Sequence, residues 1–295
     1  MKNTIFTGAG CAIITPMHED GSIDWEELGR IIDHQIAHGT DAIVIAGTTG
    51  EASTFSDEEH VESVRFTVDK VGRRVPVVAG VGSNHTDYAV WLSKEAKAAG
   101  ADALLHVTPY YNKTSQPGLI RHFEAIADAT DLPIILYNVP SRTGMNIKPE
   151  TYLALSKHPN IVAVKEANGN LSAVAQTRYL CGDNLDIYSG NDDQIVPILS
   201  LGGKGVISVL SNIMPKETHD ICQLYFDGKT AESAALQIRL MGLIDVLFCD
   251  VNPIPVKEAM NLLGWKAGHC RLPLVDISDA GRELLIKEMK AVKLL

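Results

Sequence analysis

Lys165 is the residue whose position in the sequence most directly indicates chemistry. It ends an apolar run, residues 161–165, that is rich in Val and Ile as buried strands are. Because side chains alternate along a strand, Ala163 and Lys165 share one face. If that face is buried, loss of water lowers the pKa of the amine, and a neutral amine can attack a carbonyl to form a Schiff base. A solvent-facing lysine, or one paired with Glu166, fits the residues equally well.

Three further groups of side chains follow apolar runs and suit the same chemistry. The Tyr137 phenol, beside an amine, can pass protons during imine formation. Thr48 and Thr49, in a loop flanked by glycines, offer hydroxyls and backbone N–H groups to a carboxylate. Arg142, in a loop with proline and glycine, can clamp an anion through two parallel hydrogen bonds. Each of them also has a purely structural interpretation. The tyrosine fits an aromatic residue of the core, the threonine loop fits an ordinary turn, and the arginine fits a surface ion pair.

Motifs for other chemistries are missing from the sequence. It has no HxH, HExxH, Walker or GxSxG motif. His34 and His38 lie four apart on a predicted helix, which is more typical of a solvated face than of a zinc site. Asp192 and Asp193 are more typical of a helix cap. We therefore predict no metal and no bound cofactor.

The surrounding sequence alternates between short apolar runs and amphipathic stretches. The runs are residues 11–15, 42–46, 75–79, 103–107, 134–137, 161–164, 185–188 and 206–209. Each is bounded by Gly, Pro or Asp, as buried parallel strands are. Eight strand-and-helix units in about 225 residues predict an α/β protein with a (β/α)8 TIM barrel. An open doubly wound sheet is less favoured, because its glycine fingerprint is missing after the first run.

The alternation stops near Gly228. The later stretches with helical spacing are residues 231–248, 255–263 and 277–294. We predict a catalytic barrel over residues 1–228 and a C-terminal helical appendix over residues 229–295. In such a barrel the active site lies at the carboxyl ends of the strands, where the lysine, tyrosine, threonine and arginine side chains above all fall.

Length and charge limit what else the chain can be. Thirty-six acidic and 26 basic residues give the 295-residue chain a net charge of −10. Without a basic block it lacks the cationic footprint of non-specific nucleic-acid binding. No apolar run reaches the roughly 18–20 residues of a membrane span. The first residues lack a signal-peptide core, and the five scattered cysteines contain no CxxC motif. We expect a cytoplasmic protein that binds neither nucleic acid nor membrane.

In chain order, the strand ends resemble one known family. The motifs are Gly-Thr-Thr-Gly-Glu at 47–51, Thr-Pro-Tyr-Tyr-Asn at 108–112, Tyr-Asn-Val-Pro-Ser-Arg-Thr-Gly at 137–144, Val-Lys-Glu-Ala at 164–167, Gly-Val-Ile-Ser at 205–208 and Asn-Pro-Ile-Pro-Val-Lys at 252–257. Each is weak alone, but all of them on successive predicted strands are specific. Over essentially its full length the chain resembles the dihydrodipicolinate synthases, Schiff-base-forming members of the N-acetylneuraminate lyase superfamily.

The resemblance implies a lyase of diaminopimelate and lysine biosynthesis that condenses pyruvate with L-aspartate 4-semialdehyde. Lys165 would form the Schiff base with pyruvate. Tyr137, Thr48 and Tyr111 match the family's proton relay. Because family members commonly borrow the last tyrosine from a neighbouring subunit, Tyr111 would make a dimer the catalytic unit. The expected assembly is a homotetramer, a dimer of two tight dimers.

The resemblance also implies the residues that bind substrate. Thr49, together with Thr48, matches the site of the pyruvate carboxylate. Arg142 matches the residue that holds the carboxylate of the semialdehyde. Gly190 and Ile207 match positions that line the pocket through their backbone.

One group of residues departs from the family pattern. Feedback-inhibited members bind lysine at the dimer interface, and Asn84, His60 and Tyr110 match that pocket. The departures are Tyr88 at the glutamate position, Asp57 at the usual basic position and Ala52 in place of a serine. Without the glutamate, the α-ammonium of the inhibitor loses its main counter-charge. We therefore expect lysine inhibition to be weak or absent.

Two other functions compete with this interpretation. A sister lyase of a sugar acid, of the N-acetylneuraminate or 2-keto-3-deoxy-gluconate type, would share Lys165 and Tyr137, but such lyases generally lack an arginine at position 142. A non-catalytic barrel that binds pyruvate as a regulator would need no proton relay, so the full Tyr–Thr–Tyr set disfavours it.

Overall fold

Eight parallel strands close into a barrel in the computed structural model, which describes residues 2–295. The strands are β1 (Gly8–Ala12), β2 (Ala42–Ile45), β3 (Val77–Gly80), β4 (Ala103–Val107), β5 (Ile134–Asn138), β6 (Ile161–Glu166), β7 (Asp186–Ser189) and β8 (Gly205–Ser208). Each strand pairs with the next, and β8 pairs with β1. The predicted TIM barrel with a helical C-terminal segment is therefore confirmed.

Helices follow the strands around the barrel. Within residues 2–295 they are α1 (Trp25–Ala37), α2 (Asp57–Val71), α3 (Thr86–Ala98), α4 (Gln116–Asp128), α5 (Pro140–Thr143), α6 (Pro149–Leu155), α7 (Leu171–Cys181), α8 (Ile195–Ser200), α9 (Pro215–Phe226), α10 (Thr230–Val246), α11 (Ile254–Leu262) and α12 (Asp279–Ala291). Local sequence explains where several begin. Ser56 and Glu59 form a reciprocal capping box at the start of α2, and the Ser115 side chain caps α4.

The first strand begins three residues earlier than predicted, at Gly8 instead of Cys11. The segment Gly-Ala-Gly at residues 8–10 is typical of a turn. In the structure its first glycine instead permits a close contact between β1 and β8. A side chain on Gly205 would place its Cβ 1.8 Å from the carbonyl oxygen of Gly8, so β1 and β8 approach too closely there for any larger residue. Ile13 and Ile14, which extended the predicted strand, are fully buried beyond its paired part.

The apolar core has two layers. One lies between the strands and the outer helices, and α1 contributes Leu28, Ile31 and Ile32 to it. The other fills the barrel itself and includes Tyr137 and Tyr188. At the amino-terminal end of the barrel, the Tyr188 hydroxyl donates a hydrogen bond of 2.6 Å to the carbonyl of Phe6, and the two rings stack. This end is therefore filled, which leaves the carboxyl ends of the strands open for a site.

The C-terminal helices are tied to the barrel by a buried ion pair. Lys257 of α11 donates to Glu51, in the loop after β2, at 2.9 Å, and both side chains are at most 2% exposed. The second oxygen of Glu51 accepts the backbone N–H of Arg271, and Lys257 also donates to the carbonyl of His269. Hydrogen bonds from the C-terminal segment therefore fix the position of the loop that follows β2. In residues 2–295, none of the helices has the length and apolar character needed to cross a bilayer.

We expect the Lys257→Met substitution to lower the free energy of unfolding by about 3–5 kcal/mol, because it leaves the Glu51 carboxylate buried without its partner. Chemical denaturation of the purified chain measures this. The matched control is Lys216→Met, which removes an exposed lysine paired with Asp220 and should change the free energy of unfolding by no more than about 0.5 kcal/mol. Equal effects of the two substitutions would show that the buried pair does not anchor the C-terminal segment.

Candidate active site

A cavity of about 370 Å³ opens at the carboxyl ends of the strands. Six of the predicted site residues line it: Thr48, Thr49, Tyr137, Arg142, Lys165 and Gly190. They come from the ends of β2, β5, β6 and β7, which are far apart in the sequence. The closed barrel brings these four strand ends around a single cavity.

Lys165 is buried, with only 6% of its surface exposed. Burial lowers the pKa of its amine to about 8, while the carboxylate of Asp192 raises it and the Arg142 guanidinium lowers it further. The stem of Lys165 packs against the end of β7, where a Cβ on Gly190 would lie 3.1 Å from Cγ of Lys165. The same Cβ would lie 2.8 Å from Cβ of Ala167, so no larger residue fits at position 190 unless its neighbours shift. With a pKa of about 8, a substantial fraction of the Lys165 amine is neutral near pH 8.

Tyr137 lies directly beside the lysine. The two residues are paired across β5 and β6, and Nζ of Lys165 is 4.3 Å from the centroid of the Tyr137 ring. Burial raises the pKa of the phenol to about 12, although the nearby Arg142 guanidinium and the Thr48 hydroxyl both lower it. The phenol therefore holds its proton and lies within reach of a group bound to the amine.

Asp192 supplies a buried negative charge near the amine. Its Oδ2 accepts the backbone N–H groups of Val209 and Leu210 at 3.0 and 2.9 Å, and its Oδ1 has no hydrogen-bond partner in residues 2–295. The helix cap predicted for Asp192 is not made within its own turn, Asp192–Gln194. Its carboxylate instead accepts the first N–H groups of the turn after β8, and so links the ends of β7 and β8. Burial raises the pKa of this carboxyl, and the Ser208 hydroxyl, the two N–H groups and Lys165 lower it.

Glu166 points away from the cavity and does not pair with Lys165. Its two carboxylate oxygens accept from Nδ2 of Asn138 at 2.9 and 3.2 Å, and one also accepts from the Tyr152 hydroxyl at 2.8 Å. Burial raises the pKa of Glu166 to about 7. Asn138 follows Tyr137 on β5, so this carboxylate joins β5 to β6 immediately behind the two residues that face the cavity.

Asn252 joins the threonine loop to the arginine. Its Nδ2 donates to Oγ1 of Thr49 at 3.0 Å, and its carbonyl accepts from Nη2 of Arg142 at 3.0 Å. Arg142 itself lies in the single turn α5, which ends at Gly144 in the left-handed conformation. The residue between the two predicted anion-binding elements therefore comes from the C-terminal segment.

Two predicted site residues lie outside this cavity. Ile207 is fully buried within β8, in the barrel interior, and Val209 lines the cavity instead. Tyr111 is 92% exposed and has a positive φ of 68°. Its phenol is therefore displayed outward from the chain, away from Tyr137 and Thr48.

Sequence reasoning missed one whole wall of the cavity. Phe248, Asp250, Val251 and Asn252 line it from the loop between α10 and α11. The motif at 252–257 contributed to the resemblance, but nothing in local spacing places a loop after position 246 over the barrel mouth. The other lining residues missed are Val139, Ser141, Ala167, Asn191 and Val209, which follow strands already identified.

A second cavity of about 380 Å³ shares the wall made by Thr48, Tyr137, Val139 and Arg142. Its far side is lined by Ala52, His60, Tyr88 and Tyr110, among others.

Two contacts define the far side of this second cavity. The Tyr88 hydroxyl donates to Oδ1 of Asp57 at 2.6 Å, so two of the positions that depart from the lysine-binding pattern pair with each other. His60 forms a hydrogen bond of 2.7 Å with the carbonyl of Gly80, and burial lowers the pKa of its imidazole.

No group of three or more His, Cys, Asp or Glu side chains within residues 2–295 is arranged to hold a metal ion. His34, in the last turn of the outer helix α1, and His38, which follows that helix, contact each other with ring centroids 4.0 Å apart. The groups available for chemistry in the cavity are therefore an amine, a phenol, hydroxyls, a guanidinium and a carboxylate.

Comparison with known proteins places these features in one family. Residues 5–292 match the model of the Dihydrodipicolinate synthetase family. The chain is 58% identical over 285 residues to the 4-hydroxy-tetrahydrodipicolinate synthase of Caldicellulosiruptor saccharolyticus, covering 97% of this chain and 96% of that protein. Among solved structures, a dihydrodipicolinate synthase from Thermotoga maritima has a TM-score of 0.97 and 40% identity, covering 99% of this chain and 100% of that one.

A second solved structure extends the comparison. A dihydrodipicolinate synthase from Cyanidioschyzon merolae, determined with lysine bound, has a TM-score of 0.96 and 41% identity, covering 99% of this chain and 100% of that one. The family match spans nearly the whole chain, and these relatives exceed 30% identity over at least 96% of their lengths. The chain therefore belongs to the dihydrodipicolinate synthetase family.

Proposed function

We propose that the chain is a lyase that condenses pyruvate with L-aspartate 4-semialdehyde to 4-hydroxy-tetrahydrodipicolinate, a step of diaminopimelate and lysine biosynthesis. The observation that carries the proposal is the buried amine of Lys165, its pKa lowered to about 8, against the Tyr137 ring at the base of the cavity. The curated relatives bear the name of this activity.

The first step is attack of the neutral Lys165 amine on the ketone carbon of pyruvate. The carbinolamine then loses its oxygen as water and leaves a protonated imine. Tyr137, which lies at the amine and holds its proton near neutral pH, is positioned to protonate the departing oxygen. The buried carboxylate of Asp192 stabilises the positive charge on nitrogen in the ammonium and the iminium alike.

The later steps use the same groups. Loss of a methyl proton converts the imine to an enamine, whose carbon attacks the aldehyde of the second substrate. The α-ammonium of that substrate then loses a proton, and the resulting neutral amine attacks the imine carbon. A proton moves to the Lys165 nitrogen, and the bond to Lys165 breaks as the ring closes. The lysine returns as a free amine, one water is released over the cycle, and no redox change or external cofactor is required.

The two substrate carboxylates need separate anion sites, and two groups of residues that line the cavity suit them. The hydroxyls and N–H groups of Thr48 and Thr49 are assigned to the pyruvate carboxylate, and Arg142 to the carboxylate of the semialdehyde. Asn252 fixes the position of the threonine loop relative to Arg142, because it forms hydrogen bonds with both Thr49 and Arg142. A sugar acid would present hydroxyls to Arg142 in place of this second carboxylate.

Tyr111 is assigned to the cavity of a neighbouring subunit. Its exposure of 92% and left-handed backbone display the phenol outward, where a second copy can receive it. The relay Tyr137–Thr48–Tyr111 is then complete only in a dimer, and two dimers would form the homotetramer. The backbone roles of Gly190 and Ile207, the boundary between residues 228 and 229 and the cytoplasmic location stay predictions.

Lysine is not expected to regulate this chain. The Cyanidioschyzon merolae relative was determined with lysine bound. In this chain Tyr88 and Asp57 form a hydrogen bond with each other at the two positions where the family pattern has a glutamate and a base. Ala52 removes a further hydroxyl from the cavity wall.

Reduction with borohydride in the presence of pyruvate should add the mass of reduced pyruvate to Lys165 and to no other lysine, because this is the buried amine with a lowered pKa at the cavity. Peptide mass mapping measures the adduct, and Lys165→Ala is the control that should lose it. An adduct elsewhere, or none, would contradict the Schiff-base mechanism. Product formation with L-aspartate 4-semialdehyde but not with N-acetylmannosamine then separates the synthase from a sugar-acid lyase.

Imine formation should accelerate with pH and level off above about pH 8, because the reactive form of Lys165 is the neutral amine. Asp192→Asn removes the carboxylate that raises this pKa, so the midpoint should move to lower pH. The measurement is the rate constant of pyruvate trapping across a pH series. Asp193→Asn is the matched control and should leave the midpoint in place; a midpoint near 10.5 in the parent chain would mean that the amine is not desolvated.

Lysine at sub-millimolar concentration should leave the initial rate of the purified enzyme unchanged, because the counter-charge for the inhibitor's α-ammonium is missing. The double substitution Tyr88→Glu and Asp57→His restores a carboxylate and a base and should introduce inhibition. The test is an initial-rate titration with lysine. Clear inhibition of the unmodified chain would refute the interpretation of these two residues.

A further inference from the structure

Asp250 is the acidic residue among those that line the active-site cavity. The other charged lining residues are Arg142 and Lys165, both cationic. Two cationic residues suit a cavity that binds two carboxylates, but none of the proposed reaction steps involves the Asp250 carboxylate. The unassigned charge therefore points to a positively charged group on a substrate.

The carboxylate of Asp250 is available for such a group. It is half-buried, and its Oδ1 accepts the backbone N–H of Val251 at 2.6 Å. Within residues 2–295, no lysine, arginine or histidine nitrogen lies within ion-pair distance, 4.0 Å, of its oxygens. Its charge is thus unpaired within the chain, although it lines the same cavity as an arginine.

The loop that carries Asp250 is held in place. Two residues further on, the side-chain amide of Asn252 donates a hydrogen bond to Thr49, and its backbone carbonyl accepts one from Arg142. Arg142 is therefore bonded to the short segment that carries Asp250, and both the carboxylate and the guanidinium line the cavity. This is the charge pattern that complements an α-amino acid, which carries a carboxylate and an ammonium on one carbon.

We propose that Asp250 binds the α-ammonium group of the aldehyde substrate while Arg142 binds its α-carboxylate. This inference rests on the proposed function and names the group that selects an amino-acid aldehyde over other aldehydes. Opposite charges brought together in a partly desolvated site attract each other strongly, and a substrate ammonium left without a partner there would lose its hydration uncompensated. Asp250 is thus a specificity residue that contacts the second substrate only.

The experiment compares two aldehydes in the Asp250→Asn variant, which keeps the size and one hydrogen-bond acceptor but loses the charge. With L-aspartate 4-semialdehyde, KM for the aldehyde should rise about tenfold, the low end of the loss of a charged hydrogen bond, while KM for pyruvate stays within about twofold. With succinic semialdehyde, which lacks the amine, the half-saturating concentration for the aldol adduct on Lys165 should be the same in both proteins. Asp227→Asn, an exposed acid at the end of α9, is the control and should change neither quantity.

The outcomes separate the two claims. A tenfold loss with the amino-acid aldehyde alone supports the role of Asp250. No loss with either aldehyde, or an equal loss with both, overturns it while leaving the proposed function in place. Failure of the unmodified chain to convert pyruvate and L-aspartate 4-semialdehyde would overturn the proposed function and this inference together.

Discussion

The desolvation of one amine is the constraint on which the rest of the site depends. Removing the ammonium of Lys165 from water disfavours its charged form, and the fold tolerates this because a buried carboxylate, Asp192, and the face of the Tyr137 ring lie nearby. Asp192 in turn is buried and is stabilised by two backbone N–H groups from the end of β8. The amine therefore keeps a pKa close to the physiological range, where both of its protonation states are accessible.

The barrel supplies the rigidity that this balance requires. Lys165 and Tyr137 face each other because β5 and β6 hold them at paired positions, and Glu166 with Asn138 joins the same two strands on the opposite face. On the other side, Gly190 allows β7 to approach the lysine stem. A shift of any of these strands would change the distance between amine and phenol. The chemistry is thus fixed by strand pairing and not by the flexible ends of the side chains.

The pattern of apolar runs predicted the barrel because each strand is specified by its own local sequence. Lys165 and Tyr137 were predicted for the same reason, since each of them ends one of these runs. Other features depend on contacts that no local pattern contains. Gly8 begins β1 because it meets Gly205, almost two hundred residues away. Asn252 enters the site only because the C-terminal segment folds back over the barrel, anchored by Lys257 on Glu51. Tyr111 lies outside the cavity of its own chain, and no local pattern in the sequence indicates this.

The whole chain is negatively charged, whereas most of the charged residues that line the cavity are positive. The two charges act on a substrate over different distances, and this difference explains how an acidic protein can bind anions. A net charge of −10 repels anionic substrates, but salt screens such interactions over about 8 Å at physiological ionic strength. Arg142 and Lys165 line a half-enclosed cavity, and a charge acting at contact distance in such a place is only weakly screened. The Thr48–Tyr137–Arg142 wall also separates this cavity from a second one of similar size. Thr48, Tyr137, Val139 and Arg142 line both cavities, so the two cavities meet at these side chains, and the Tyr88–Asp57 hydrogen bond lies on the far side of the second one because Tyr88 lines that side.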